Sequence, residues 1–332
     1  MKMKRLLAGL LVLVMCFVLV ACQKHTNDKN SSKTQGNNQT SDNPDASQGD
    51  ATPLLYRVTD KSGNVVWLFG SIHVGREDYY PLPDYVLSAF EKADSLAVEM
   101  DIKAFEEDLG LQVQALSTVV YLDGSKISDH IPQELYEKAV EILEEYDSYL
   151  NILDMYYPAL WSSMIESLMM EELGANANLG IDRHLIDMAY EADKEILEIE
   201  SAEFQYQMLA DFDNDIQIML LESSVEAYEK KDEAATDLEK MMDLWAAGNE
   251  SEFAAYLNAS DDTMTDEEKE MYQRYNKAML VDRNLAMADY AEDALLEGRE
   301  IFICVGAAHI VGDGAVAELL SQRGYTVECI VK

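Results

Sequence analysis

Basic residues are scarce in this chain: Lys and Arg number 25 against 63 Asp and Glu, and there are only five His, which sets the formal charge at −38. Clustered Lys and Arg are what neutralise a phosphate backbone, so nucleic acid is excluded as an expected partner. The charge speaks to solubility and to steering of cations, and it reads mainly as a solvated acidic surface. Cysteine is also sparse, at four in 332 residues. A disulfide-stapled miniprotein is therefore excluded, and with 48% apolar content the chain has ample material for a sizeable core. Repeats of fixed period are missing, which argues against a solenoid or propeller.

No apolar run reaches the roughly 20 residues of a spanning helix. The longest, Leu6 to Ala21, has 16 residues and follows the basic start Lys2-Met3-Lys4-Arg5. That combination reads as a secretory signal peptide. It ends in Leu19-Val20-Ala21-Cys22, which resembles a bacterial lipobox, so Cys22 is the expected site of lipidation and the first residue of the mature chain. Cleavage would remove Lys2, Lys4 and Arg5 and no acid, leaving the mature chain more acidic still. Gln23 to Pro53 is rich in Asn, Ser, Asp, Gln and Thr, too polar to offset the entropy of ordering. It reads as a flexible tether of roughly 30 Å mean span. These features predict an extracytoplasmic, membrane-anchored lipoprotein. Of the cysteines left after processing, Cys304 and Cys329 lie in apolar strand-like runs, as two buried thiols in preference to a cross-strand disulfide.

From residue 54 onward the pattern is mixed α/β. Leu54–Val58 and Val65–Phe69 form an expected hairpin about Lys61-Ser62-Gly63-Asn64. A helix over Asp84–Phe90 and a buried-type strand over Ser95–Met100 follow, and Ser117–Leu122 is a further strand candidate. Helices are expected over 132–146, 154–173 and 181–192, a strand over 195–199, and then a long acidic helical stretch from Ala202 to about Glu297, broken at Ala247-Gly248-Asn249 and by a loop from Asn258 to Asp266. Ile301–Val305, a helix over 313–323 and Tyr325–Val331 close the chain as β-α-β. The architecture predicted is a central mixed sheet with strands from both ends of the chain, carrying a helical insertion over about 124–297 interrupted near 195–199.

Four of these strand candidates run into ionisable side chains. Val65–Phe69 leads to Gly70-Ser71-Ile72-His73, Ser95–Val98 to Glu99, Ile196–Ile199 to Glu200, and Ile301–Val305 to Gly306-Ala307-Ala308-His309. Ligands in open α/β sheets bind beyond the carboxyl ends of the strands, so these groups converge if the strands are parallel neighbours. The glycine of each Gly-x-x-His is expected to turn the chain sharply at φ > 0. A fifth candidate lies on a predicted helix between Tyr272 and Leu295, where Tyr275, Met279, Arg283, Ala286 and Tyr290 share one stripe. A buried Arg283 needs an anion, with Glu99, Glu200 or a substrate oxygen as the candidates. His130 and His184 read as incidental. The acids Asp261-Asp262-Thr263-Met264-Thr265-Asp266 lack a calcium-loop glycine and read as a capped, solvated loop, while Gly312-Asp313-Gly314 reads as a turn whose amides feed the site.

With these segments in order, and with Gly180-Ile181-Asp182, Glu200-Ser201-Ala202-Glu203-Phe204-Gln205 and Arg283-Asn284 between them, the chain resembles the TraB/PrgY/GumN family, related to the animal TIKI proteases. The resemblance covers most of 54–332. It implies a fold shared with erythromycin esterase-like and ChaN-like proteins and, by analogy with TIKI, a metal-dependent peptidase whose ligands would fall on His73, Glu99 and His309. Such a 2-His-1-carboxylate set leaves coordination sites for water and substrate. The expected cofactor is one divalent ion, Mn²⁺, Co²⁺ or Zn²⁺, or none: Mn²⁺ or Co²⁺ is implied by the analogy alone, and the spacing, unlike a His-Glu-x-x-His helix, does not let Zn²⁺ be inferred from local geometry. Two other readings stay open: a metal-independent hydrolase in which a His is general base, Glu99 or Glu200 orients it and Arg283 stabilises the oxyanion, and a protein that sequesters a peptide pheromone without cutting it. The expected partner is a peptide or protein substrate.

Overall fold

The computed structural model describes residues 49–259 and 264–330. The segment read as a signal peptide, Cys22 and most of the segment read as a tether therefore lie outside the described residues, as do Asp261, Asp262 and Thr263 of the acidic cluster. The end of the segment read as tether is packed onto the domain: Ala51 and Pro53 are buried, and the Gly49, Asp50 and Thr52 amides donate to the carbonyls of Pro81, Asp78 and Ala246. The packed region thus begins before residue 54, where composition alone shows only polarity.

The elements in chain order are β1 (Leu55–Thr59), β2 (Val65–Ser71), α1 (Asp84–Lys92), β3 (Ser95–Val98), α2 (Ile102–Glu107), α3 (Leu109–Leu116), α4 (Gln133–Glu145), α5 (Pro158–Glu172), α6 (Ile181–Glu191), β4 (Glu195–Glu198), α7 (Ala202–Ala210), α8 (Asn214–Glu229), α9 (Lys231–Ala247), α10 (Glu250–Leu257), α11 (Asp266–Asn276), α12 (Asp282–Glu297), β5 (Ile301–Gly306), α13 (Ala307–Ile310), α14 (Val316–Gln322) and β6 (Thr326–Ile330). Six strands form one mixed sheet in the order β4-β3-β5-β2-β1-β6. The four strands β4, β3, β5 and β2 are parallel neighbours, and β1 pairs antiparallel with both β2 and β6. β5 carries the sequence Ile301-Phe302-Ile303-Cys304-Val305-Gly306 and is buried throughout, as the centre of a sheet covered on both faces requires. A second apolar cluster sits in the insertion, where Leu135, Ala139 and Leu143 of α4 meet Trp161 and Ile165 of α5 and Leu221 and Val225 of α8.

Several details differ from the sequence reading. Ser117–Val119 is a 3₁₀ turn, not part of a strand, and only Val120 makes an isolated bridge, to Tyr156; no sheet neighbour is available there to satisfy a ladder. The region 154–173 divides into a 3₁₀ turn over Asn151–Met155 and α5, which starts at Pro158 because proline favours the first helical position. Cys304 and Cys329 are both free, on β5 and β6, with β2 and β1 between them. The break at Gly248 holds, as a left-handed residue closing α9. Thr265 caps α11 with Glu268 in a reciprocal capping box. Among the described residues no helix is long and apolar enough to cross a membrane.

Candidate functional site

The register of the parallel strands brings their carboxyl ends level: Ser71 pairs with Gly306 and Val98 with Glu198. The β3–β4 pairing continues past the strands, with the Ile199 and Glu200 amides donating to the carbonyls of Val98 and Glu99 at 2.8 and 2.9 Å. Glu99 and Glu200 therefore leave the sheet side by side. His73 follows β2, and His309 sits in the single turn of α13 after β5. All four side chains emerge on one edge, as parallel order demands.

The glycines of the two Gly-x-x-His segments do not work by positive φ. Gly306 has φ −49°, and Gly70 has no left-handed backbone. Gly70 is needed because a Cβ there would stand 2.8 Å from the Cα of Ala307, so the ends of β2 and β5 approach too closely for any side chain. The Gly306 amide has a direct task, donating to Glu99 Oε1 at 2.7 Å.

Each imidazole is held through Nδ1. His73 Nδ1–H donates to Asp182 Oδ2 at 2.5 Å, with both side chains buried. Asp182 reaches it because α6 starts directly over the His73 loop: the Ile181 amide donates to the Ile72 carbonyl at 2.9 Å, and a Cβ on Gly180 would meet the His73 carbonyl at 2.6 Å. His309 Nδ1 faces Asn284 Oδ1 at 2.7 Å, while Asn284 Nδ2 donates to the Gly314 carbonyl at 3.0 Å. That second bond fixes the amide orientation, so His309 carries its proton on Nδ1 and its lone pair on Nε2. Burial drives the His309 imidazole well below the usual histidine value, and the Arg283 charge pushes the same way. His309 is accordingly a neutral base with Nε2 3.9 Å from Glu99 Oε1.

Behind the histidines lies a charged clamp. Arg283 Nη2 donates to Glu99 Oε2 at 2.5 Å and to Glu200 Oε2 at 2.8 Å, Nε donates to Glu200 Oε1 at 2.7 Å, and Nη1 to the Met279 carbonyl at 3.1 Å. Burial works against the guanidinium charge, but Glu99 and Glu200 outweigh it and hold Arg283 above its ordinary value. Gln205 Nε2 completes the clamp, bridging Glu99 Oε2 and Glu200 Oε2 at 3.1 and 3.0 Å. With every guanidinium nitrogen committed, Arg283 orients Glu99 rather than meeting an oxyanion directly. The turn 312–314 likewise contributes otherwise than expected: its Gly314 carbonyl holds Asn284, and its Gly314 amide is taken by Glu318.

The helical stripe that points to Arg283 is interrupted by a π turn over Lys277–Val281. Tyr275, Met279 and Arg283 are buried, but the wider turn rotates the helix beyond it, so Ala286 is exposed and Met287, Ala288 and Ala291 form the inner face. His184 packs on Tyr80, and His130 stacks on Tyr121. Asp182, Asn284 and Gln205 belong to the site although sequence reasoning gives none of them a role; each is a helix residue within a family-like segment.

Between the strand ends is a cavity of about 20 Å³ lined by His73, Glu99, Asp182, Gln205 and Ser71. That is room for one water molecule among several polar partners. Asp182 Oδ1, buried and without a hydrogen-bond partner, is one acceptor for it. Against a divalent ion the donors agree in type only. Both imidazoles are tied at Nδ1 as metal-binding histidines are, but both oxygens of Glu99 already accept hydrogen bonds. Among the described residues, no three His, Cys, Asp or Glu side chains stand close enough to hold an ion. The arrangement as it stands does not fit a three-ligand centre.

An α/β sheet with paired histidines and a clamped glutamate at the carboxyl ends of its parallel strands defines the class. The TraB/PrgY/gumN family profile matches residues 54–329, and the chain belongs to that family. Among curated relatives, it is similar to the protein called Uncharacterized protein YbaP in Escherichia coli (strain K12), at 26% identity over 261 residues, covering 76% of this chain and 86% of that one. The protein of the same name in Shigella flexneri matches equally. No solved structure matches.

Proposed function

We propose that the chain is a hydrolase acting on a peptide or related acyl substrate, with His73 as general base. The observation that carries this reading is the one-water cavity bordered by the His73–Asp182 pair and Glu99. Asp182 fixes the His73 tautomer and stabilises the imidazolium that forms when Nε2 takes a proton from water, as the water oxygen adds to the carbonyl carbon. The same proton then passes to the departing amine or alcohol. Glu99 lines the same cavity, neutral His309 stands next to it with Nε2 3.9 Å from Glu99 Oε1, and Arg283 and Glu200 keep Glu99 in place. The sequence features at Lys2–Arg5, Leu6–Ala21 and Cys22 support the further proposal that the domain acts outside the cytoplasm from a lipid anchor; Cys22→Ala should shift it out of the membrane fraction and remove lipid mass from its N-terminal peptide.

The test is cleavage of peptide and ester libraries by the purified chain, before and after chelation, beside His73→Ala and His309→Ala. Cleavage that survives chelation and is lost in both variants, with melting temperatures within a few degrees of the parent, supports the reading. Cleavage abolished by chelation and restored by Mn²⁺, Co²⁺ or Zn²⁺ would transfer it to a metallopeptidase, with the ion drawing His73, Glu99 and His309 together. Peptide binding without any turnover would make sequestration the better account.

A further inference from the structure

On the far side of the clamp, α7 and α12 enclose a groove of about 710 Å³. Its size is that of a small-ligand or side-chain pocket, and its floor is apolar: Phe204, Met208 and Phe212 on one side, Ala278 and Ala286 on the other. Phe204, 48% exposed, presents its ring at the groove. One end of the groove is closed by Glu200 and Arg283, the pair that contacts Glu99. The groove and the candidate site therefore meet at the same clamp: Glu200 and Arg283 line the groove, and Glu99, which Arg283 holds, lines the one-water cavity.

The charge around the groove has a definite sign. Glu99 and Glu200 share one Arg283, which leaves one negative charge in surplus. Asp282 is neutralised by Lys277, whereas Asp211 on the rim accepts from the Gln207 amide, which brings no charge. An apolar floor under a negative rim selects apolar groups that carry positive charge beside them.

We propose that this groove is a substrate subsite that seats a large apolar side chain of a peptide with basic neighbours, near the bond that is attacked. The proposal rests on the hydrolase reading for its distance from the bond, but its binding part can be measured without turnover. Two fluorescein-labelled hexapeptides, each with a central Phe, one flanked by Lys and one by Glu, are titrated into full-length chain inactivated by His309→Ala, and in parallel by His73→Ala in case one variant folds poorly. The Lys-flanked peptide should bind at least tenfold more tightly. Ala286→Phe, at an exposed helix position that fills the groove, should weaken it at least tenfold, and Asp211→Lys should erase the preference for Lys over Glu. Equal affinity for the two peptides, or affinity indifferent to Ala286→Phe, overturns the assignment. Binding that follows this pattern while wild-type chain cleaves neither peptide supports the groove as a peptide site and leaves the hydrolase reading to be decided by the library test.

Discussion

Arg283→Met removes the guanidinium that Glu99 and Glu200 share while leaving a side chain of similar length in its place. The native contacts are three donations to carboxylate oxygens at 2.5 to 2.8 Å, between groups whose side chains are 1%, 9% and 7% exposed. Deleting one member of so dry a cluster strands the others, at a cost of about 3–5 kcal/mol near neutral pH. For a domain of this size, about 2–4 °C per kcal/mol translates that into a fall in Tm of roughly 6–20 °C. The pH dependence identifies the cause. Without Arg283, burial and mutual repulsion raise both carboxyl groups above their unfolded value of about 4.3. A raised folded-state pKa means that stability is fully present when the groups are protonated and is lost as pH climbs. The Tm gap between wild type and Arg283→Met should therefore be smallest near pH 4.5 and widest near pH 8, read by thermal unfolding in matched ionic strength. Arg283→Lys restores the charge without the fork and should recover only part of the gap. A gap that stays constant across this range, or stays below about 1 kcal/mol, would refute the claim that Arg283 is held by desolvated carboxylates.

Two further predictions address other buried groups. Asp182→Asn keeps the shape of the His73 partner but can no longer stabilise an imidazolium, so turnover of any substrate found should fall about 10²–10⁴-fold with little change in Tm; activity within about threefold of wild type would remove the pair from the mechanism. Glu166, buried on α5 beside Ser162 and Tyr275, is pushed up to about 8 by burial. Its contribution to stability is full below its ordinary value and lost as pH rises toward 8, so Glu166→Gln should match wild type near pH 4.5 and exceed it by roughly 3–4 kcal/mol near pH 8, whereas an equal offset at both pH values would refute it.

The strand ends are legible in the sequence because each is a short apolar run that stops at a charged or imidazole side chain, a pattern set by neighbours a few residues away. His73, Glu99, Glu200 and His309 can be placed on one edge from that alone, and the parallel order β2-β5-β3-β4 brings them there. The groups that tune them are not legible. Asp182 meets His73 across 109 residues, and nothing in the periodicity of α6 distinguishes it from a first-turn acid favoured by the helix dipole. Asn284 sits beside Arg283 and looks like a surface amide until the Gly314 carbonyl fixes it. Arg283 is legible as a buried cation, yet Ala286 falls outside the buried stripe, since a π turn leaves no mark in a pattern counted at 3.6 residues per turn. The glycines show the same limit: their spacing is visible, but the reason at Gly70 is the backbone of Ala307 beyond another strand.

The pairing of β2 with β5 has a consequence for how the protein is made. Val66 to Ser71 pair with Ile301 to Gly306 across the entire helical insertion. Such a contact closes a very long loop, and its entropy must be met before the pairing returns anything. The helices of the insertion, rich in local contacts, can form while the C-terminal strand is still being synthesised, but Glu99 has no Gly306 amide and His73 no opposing His309 until that strand docks between β2 and β3. The site is thus incomplete through nearly all of the chain's synthesis, and it is assembled only with the last strands to arrive.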